Sequence, residues 1–308
     1  MTRARVAVLG IFAADLTFRA ARLPKLGETL LADGFSLGSG GKGSNQAIAA
    51  AKAGAHATLI TRIGDDAFGQ MARDEWTGAG VDATHVIVSP DEPTGAAFIF
   101  VDARDGQNAI VVNGGAAAAL SAADVTAARG AIGRAAVVVA QLEQPLAAAT
   151  AAFELARAAG VATLLNPAPA APLDDAVFRL CDIVTPNESE AELLTGITVD
   201  GEDAARRAAD RLLARGAGAV LLTLGEKGAL LHRPGQSLLV PAFDAGPVVE
   251  TTGAGDAFTG AFAVALAEGR DLAEAARFGC AAAGISVTRP GAGRSMPLRA
   301  EIDALLSA

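Results

Sequence analysis

The chain has 308 residues, a formal net charge of −9, 51% hydrophobic residues and 4% aromatics. An acidic chain without a basic run offers nucleic acid or an anionic membrane surface no electrostatic footprint, which excludes both as main partners. No apolar run is long and charge-free enough to span a bilayer, and an alanine-rich, ring-poor composition suits helices packed closely on a sheet. Cys181 and Cys280 lie far apart, as expected of buried thiols in a reducing cytoplasm. His56, His85 and His232 have no metal-type spacing and are expected in structural or surface roles. Residues 1–5 lead into a strand rather than reading as a signal peptide.

In chain order, residues 5–12 form a short apolar run around Gly10, a buried-strand signal at the start of an α/β fold. Asp15 follows at that strand's carboxyl end, where open α/β sheets bind ligands; a solvated loop acid is the plainer alternative. Residues 29–37 read as an exposed strand, and 94–101 with 108–112 as a hairpin around a polar turn at 102–106. These strands break the βα rhythm and are expected outside the main sheet. Between them Gly38-Ser39-Gly40-Gly41-Lys42-Gly43 formally matches G-x-G-x-x-G, with Asp65 near the spacing of a ribose-binding acid. A dinucleotide-binding oxidoreductase is therefore an alternative, but that fingerprint belongs after the first buried strand, and this one follows an exposed strand. Nor is it a P-loop, because Lys42 is followed by Gly43.

A helix follows at 45–53 and a strand at 58–63. Asp66 is an expected N-cap of the next helix, favoured over an acid/base pair with Asp65. The βα alternation then resumes with 136–140, 145–158 ending at Gly160, and 161–165. Gln141-Leu142-Glu143 lies at a strand's carboxyl end. A strand at 182–185 runs into a helix opened by 186–190. Asn187 and Glu190, three apart, share a helical face and either converge on a ligand or form a capping box. A strand at 220–224 leads to the glycine-bounded turn 225–228, and helices at 254–266 and 272–283 follow. No repeat, linker or composition shift divides the chain, so one domain over 1–308 is expected.

The richest stretch is 248–262. Gly253, Ala254, Gly255 and Asp256 fall on the first turn of a helix, where amides lack intrahelical acceptors and the dipole favours anions. With almost no side chains in the way, an anion can approach those amides, and Asp256 supplies a carboxylate where a phosphoryl group would meet a hydroxyl. The plainer reading is an acidic helix start preceded by turn glycines.

This stretch resembles the D-T-x-G-A-G-D signature of the ribokinase-like (phosphofructokinase-B-type) carbohydrate kinases, with Glu250 at the first Asp. Gly40, Gly41, Lys42, Gly43 and Asn45 resemble that family's G-G-K-x-x-N, Asn187 and Glu190 its N-x-x-E, and Thr223, Gly225 and Gly228 its T-x-G-x-x-G. Four motifs in the family's order, within a likeness running from Gly10 to Pro297, imply a three-layer αβα sandwich with a mostly parallel sheet. They also imply a small β lid from strands at about 15–39 and 94–112, covering the sugar and pairing with a second subunit as a homodimer.

The implied reaction transfers the ATP γ-phosphoryl group to a primary hydroxyl of a small sugar, D-ribose ahead of other pentoses, ketohexoses and nucleosides. By residue matching, Asp256 is the base and Gly253, Ala254 and Gly255 form the anion hole. Asp15, Gly40, Gly41, Lys42, Asn45 and Glu143 hold the sugar, with Ala13 standing where the family commonly has Asn. Asn187, Thr223, Gly225, Gly228, Gly255 and Cys280 contact the nucleotide, Cys280 near the adenine. Glu190 positions Mg2+ through water. A potassium ion (K+) beside the anion hole would draw on Glu250, Thr252, Ser286, Arg289, Gly291 and Ser295. A sugar-binding regulator without catalysis is the third reading; it predicts loss of the base, which is present.

Overall fold

The computed structural model describes residues 3–308. Met1 and Thr2, part of the segment weighed as a leader, lie outside the described residues. Short runs rich in Val, Leu and Ile form the central strands: β1 (Arg5–Leu9), β4 (His56–Gly64), β5 (Asp82–Ser89), β8 (Val137–Ala140), β9 (Ala162–Leu165), β10 (Ile183–Val184) and β11 (Ala219–Thr223). Together with β12 (Ala229–Arg233) and β13 (Gln236–Val240) they make one sheet in the order β13-β12-β11-β10-β9-β8-β1-β4-β5. From β5 to β11 the pairs are parallel; β12 and β13 close that edge antiparallel.

Alternate residues of the parallel strands feed two separate cores, as the period of two requires of a strand buried on both faces. Val6, Val8, Val137, Val139 and Leu221 face one layer. It holds α1 (Lys42–Lys52), α2 (Ala67–Ala79), α9 (Ala254–Ala267), α10 (Leu272–Ser286) and α11 (Arg299–Ser307). Ala7, Leu9, Val138, Val220 and Leu222 face the other. That layer holds α3 (Ala122–Ala127), α4 (Arg129–Ile132), α5 (Leu146–Ala158), α6 (Asp175–Phe178), α7 (Glu188–Thr195) and α8 (Glu202–Ala214). The result is the three-layer αβα sandwich. No helix among the described residues is long and apolar enough to cross a membrane.

A second sheet, β3-β2-β6-β7, stands apart from the first. It comprises β2 (Ala13–Ala20), β3 (Gly34–Gly40), β6 (Thr94–Asp102) and β7 (Asn108–Gly115). Two expectations change here. Asp15 is not in a loop at the end of β1 but inside β2, opposite Gly38 and Ala97. The strand expected at 29–37 begins only at Gly34, because its pairing with β2 runs from Gly34 to Gly40.

Two of the three histidines make protein contacts, within the structural or surface roles expected. His232 bonds Asp210 at 2.8 Å and Ser237 at 2.9 Å, and His56 lies 3.9 Å from Asp82. Asp66 caps α2 by accepting the Gly69 amide at 2.8 Å. Both cysteines are free and buried.

Candidate active site

Asp256 lies in the first turn of α9, and its position follows from glycine. Gly253, the N-cap, has a φ of 80°, and an added Cβ would come within 3.0 Å of Ala292. An added Cβ at Gly255 would meet nothing within 4 Å, so that side of the turn is open. The Ala254 amide is already engaged, donating to the Thr251 carbonyl at 3.2 Å. One turn on, Gly260 lets α9 press against α1: a Cβ there would sit 2.6 Å from the Gln46 carbonyl and from Ala49.

That approach brings two amides of α1 to the carboxylate. Asn45 Nδ2 donates to Asp256 Oδ2 at 3.0 Å, and Gln46 Nε2 donates to Oδ1 at 2.9 Å. Asp256 is 5% exposed, so this pairing offsets much of the cost of burying the charge. Asn45 Oδ1 is buried and has no partner, leaving an acceptor free for a ligand hydroxyl.

Asp256 shares a cleft of about 210 Å³ with Lys42, Asn187, Glu190, Thr223, Gly253 and Gly255. Four motifs scattered along the sequence therefore converge on one space at the carboxyl ends of the parallel strands. Lys42 has its pKa raised, chiefly by the charge of Asp256 against an opposing desolvation. It lies among the residues expected to meet phosphate, although the sequence assigned it to the sugar. Asn166, Thr185, Thr251 and Thr259 also line the cleft and were not singled out as site residues from the sequence.

The remaining expected sugar residues flank this cleft. The Asp15 carboxylate lies directly against Gly40, where any Cβ would collide with it. Burial, with Asp256 and Glu250 nearby, pushes the Asp15 pKa up to about 6. Glu143 accepts the Lys42 backbone N–H at 2.7 Å, and burial pushes its pKa up to about 7 against the pull of Lys42. Gly41, at φ 85°, lies against the backbone of Phe12 and Ala13. Ala13 itself is buried and brings no polar atom.

The residues expected to meet nucleotide and metal divide. Asn187 and Glu190 do form a reciprocal capping box: Asn187 Oδ1 accepts the Glu190 amide at 2.8 Å, and Glu190 Oε2 accepts the Asn187 amide at 2.9 Å. Burial raises the Glu190 pKa. Thr223 donates its amide to the Pro186 carbonyl at 2.9 Å, which ties the end of β11 to the start of α7. Gly225 and Gly228 bound the turn after β11, both at positive φ. Cys280 stands apart from the cleft: it is buried in the core, with Sγ toward the Val240 carbonyl, and burial pushes its thiol up to about 12.

At the loop beside Gly253, Glu250 Oε2 accepts the Gly291 amide at 2.8 Å. The Ser286 and Ser295 hydroxyls donate to Ala283 and Ala292 carbonyls, and the Arg289 guanidinium is paired with Glu301. The Ser286 and Ser295 hydroxyls and the other Glu250 oxygen are ligands of the kind a large monovalent cation takes, whereas the Arg289 guanidinium has no lone pair to offer. Among the described residues no group of three or more His, Cys, Asp or Glu converges as a metal site. Glu190 offers one carboxylate, which fits a magnesium ion held mainly by waters and phosphates.

The model of the pfkB family of carbohydrate kinases matches residues 3–299. The chain is 42% identical over 299 residues to a ribokinase of Haemophilus influenzae, covering 97% of each chain. It is 39% identical over 303 residues to a deoxyribokinase of Salmonella typhi, covering 98% of each. Among solved structures it is similar to Arabidopsis thaliana ribokinase complexed with ribose and ATP, with a TM-score of 0.92 and 34% identity over the whole of both chains.

Proposed function

The chain belongs to the pfkB family of carbohydrate kinases, and on that premise we propose that it phosphorylates D-ribose at the primary hydroxyl with ATP. The observation that carries this is the buried Asp256 carboxylate, held by Asn45 and Gln46 at the mouth of an anion-binding turn and facing Lys42. Asp256 takes the proton of the sugar hydroxyl as that oxygen bonds to the γ-phosphorus. The bond from phosphorus to the β-phosphate oxygen breaks, and ADP leaves. The open Gly253–Gly255 turn and Lys42 stabilise the charge on the transferring oxygens. Asp15 and Glu143 accept hydrogen bonds from sugar hydroxyls and orient the ring, while Asn187, Thr223 and the 225–228 turn hold the nucleotide. We assign no contact with the nucleotide to the side chain of the buried Cys280.

Magnesium, placed through water by Glu190, would neutralise charge on the phosphates, and potassium at Glu250, Thr252, Ser286, Arg289, Gly291 and Ser295 would brace the loop behind the anion hole. The second sheet serves as lid and homodimer face. Two free buried thiols suit the cytoplasm.

The test is ADP release by the purified enzyme with ribose, 2-deoxyribose, other pentoses, ketohexoses and nucleosides. Ribose is expected to have the highest kcat/KM, with rates lost on omitting magnesium and lowered when potassium is replaced by a bulky organic cation at equal ionic strength. Asp256→Asn is expected to lower kcat by about 10²–10⁴-fold with little change in KM. A tenfold preference for another sugar would remove ribose. Equal rates in both salts would remove potassium, and a variant keeping half its turnover would remove the base.

A further inference from the structure

Gln46 is fully buried in α1, next to the buried polar Ser44 and Asn45 and ahead of a buried run of alanines and Ile48. A buried amide is costly unless its hydrogen-bonding groups are used, and here both ends are. Its Oε1 accepts from Gln141 Nε2 at 2.6 Å. Its Nε2 donates to Asp256 Oδ1 at 2.9 Å and to Asn166 Oδ1 at 3.0 Å. Asn166 Nδ2 in turn donates to the Thr185 carbonyl at 2.9 Å.

The orientation of this chain follows from one charge. A carboxylate only accepts, so the Gln46 NH2 must face Asp256, and its oxygen must face Gln141. Gln141 must then donate, which leaves its own oxygen buried and unpartnered. That oxygen lies where any Cβ on Gly10 would be, so only glycine at that point of the chain admits it. The same logic makes Asn166 Oδ1 the acceptor. The ends of β1, β8, β9 and β10 thus grip one oxygen of Asp256 through a single side chain of α1.

We propose that Gln46 is a positioning residue for the Asp256 carboxylate, its own amide held in one orientation by Gln141 and Asn166. This rests on the reading of Asp256 as the base. Asn45 holds the other carboxylate oxygen and keeps a free acceptor for the sugar, whereas both ends of the Gln46 amide are taken up by protein groups. Loss of Gln46 should therefore act on turnover and not on sugar binding.

The test compares Gln46→Met with the parent enzyme, each with Asp256 intact and as Asp256→Ala. With Asp256 present, Gln46→Met is expected to lower kcat by about 10- to 100-fold, the cost of a misplaced reacting group. The Kd for ribose, read by calorimetry, should stay within twofold, which also reports an intact fold. In the Asp256→Ala background Gln46→Met should cost nothing further, because its effect passes through the carboxylate. Gln141→Leu, which loosens the Gln46 orientation from behind, should lower kcat by a smaller factor in the same direction and serves if Gln46→Met folds poorly. An unchanged kcat in Gln46→Met, or the same loss in both backgrounds, overturns the proposal while leaving Asp256 as base. Full turnover in Asp256→Ala overturns the base assignment and Gln46 with it.

Discussion

Glu143, proposed above to meet the sugar, shows what such a site costs the fold. Burial raises its pKa from the ordinary 4.5 to about 7, with Lys42 opposing. Because the folded value lies above the unfolded one, the native state holds the extra proton between those pH values. Stability from this group is therefore greatest at the acid side, declines as pH rises from 4.5 to about 7, and stays low above that. The penalty at pH 8 is on the order of 3 kcal/mol. Glu143→Gln keeps an acceptor for the Lys42 amide and sheds the charge. It should melt several degrees higher than the parent at pH 8, with a margin that vanishes toward pH 4, and it should weaken ribose binding. Thermal melts across that range check it; a parent that melts higher at pH 8 would remove the burial argument. Asp15, raised to about 6 by burial first, adds a second consequence. The KM for ribose should climb as pH falls from 7 to 5, since a protonated carboxyl is a poorer acceptor for sugar hydroxyls.

At the scale of elements, the start of α7 carries both meanings the sequence left open. The capping box is real, and the same Glu190 lines the cleft. Glu190→Gln keeps an oxygen for the Asn187 amide but turns an NH2 toward Asn187 Nδ2, which in the parent donates to Glu190 Oε1 at 3.0 Å, so it should lose less melting temperature than Glu190→Ala while the magnesium concentration for half-maximal rate rises several-fold. Glu190→Ala should lose both, with the cap worth about 1 kcal/mol. A Glu190→Gln enzyme with an unchanged magnesium requirement would leave the residue a cap only. The elements most legible in the sequence were those with strong local signals: the apolar β1, β8 and β11, and the helices α5 and α9. β2 was not legible from its own residues, only within the lid span of about 15–39 that the family likeness implied. Its ladder with β6 pairs residues some eighty apart, and an acid beside alanines carries no local strand signal. The motif residues were legible because each motif is contiguous. Gln46 was not, since a glutamine in a helix announces nothing until the buried face, and the acid opposite it, are known.

At the scale of the molecule, the site sits where the strand ends of the main sheet open, and the second sheet joins the main body through residues 10–12, Gly41, 90–93 and the turn that follows Gly115. The register of that sheet puts Leu16, Leu37, Phe98 and Val111 in one cross-strand row and Phe18 with Phe35 in the next. Phe18 packs on Phe35 and Phe98 with ring centroids 5.0 and 5.8 Å apart, yet Phe35 is 58% and Val111 68% exposed. A contiguous apolar face of this kind on a sheet suits a second copy of the chain. If this face pairs two copies as proposed, the parent should sediment as a dimer and Phe35→Asp as a monomer at the same concentration; identical sedimentation would place the subunit contact elsewhere or remove it.

Consecutive residues of a strand point to opposite sides. Asp15 lies against Gly40 on the side proposed to hold the sugar, and Leu16 and Phe18 belong to the apolar face. A sugar and a neighbouring subunit would thus press on the same eight-residue ribbon from either side. Mass action then ties the two events: whatever association does for the pocket, an occupied pocket must do for association, by the same factor. If pairing tightens the pocket, the half-saturating ribose concentration would drift upward as the enzyme is diluted through its own dissociation constant, and saturating ribose would lower that dissociation constant by the same factor.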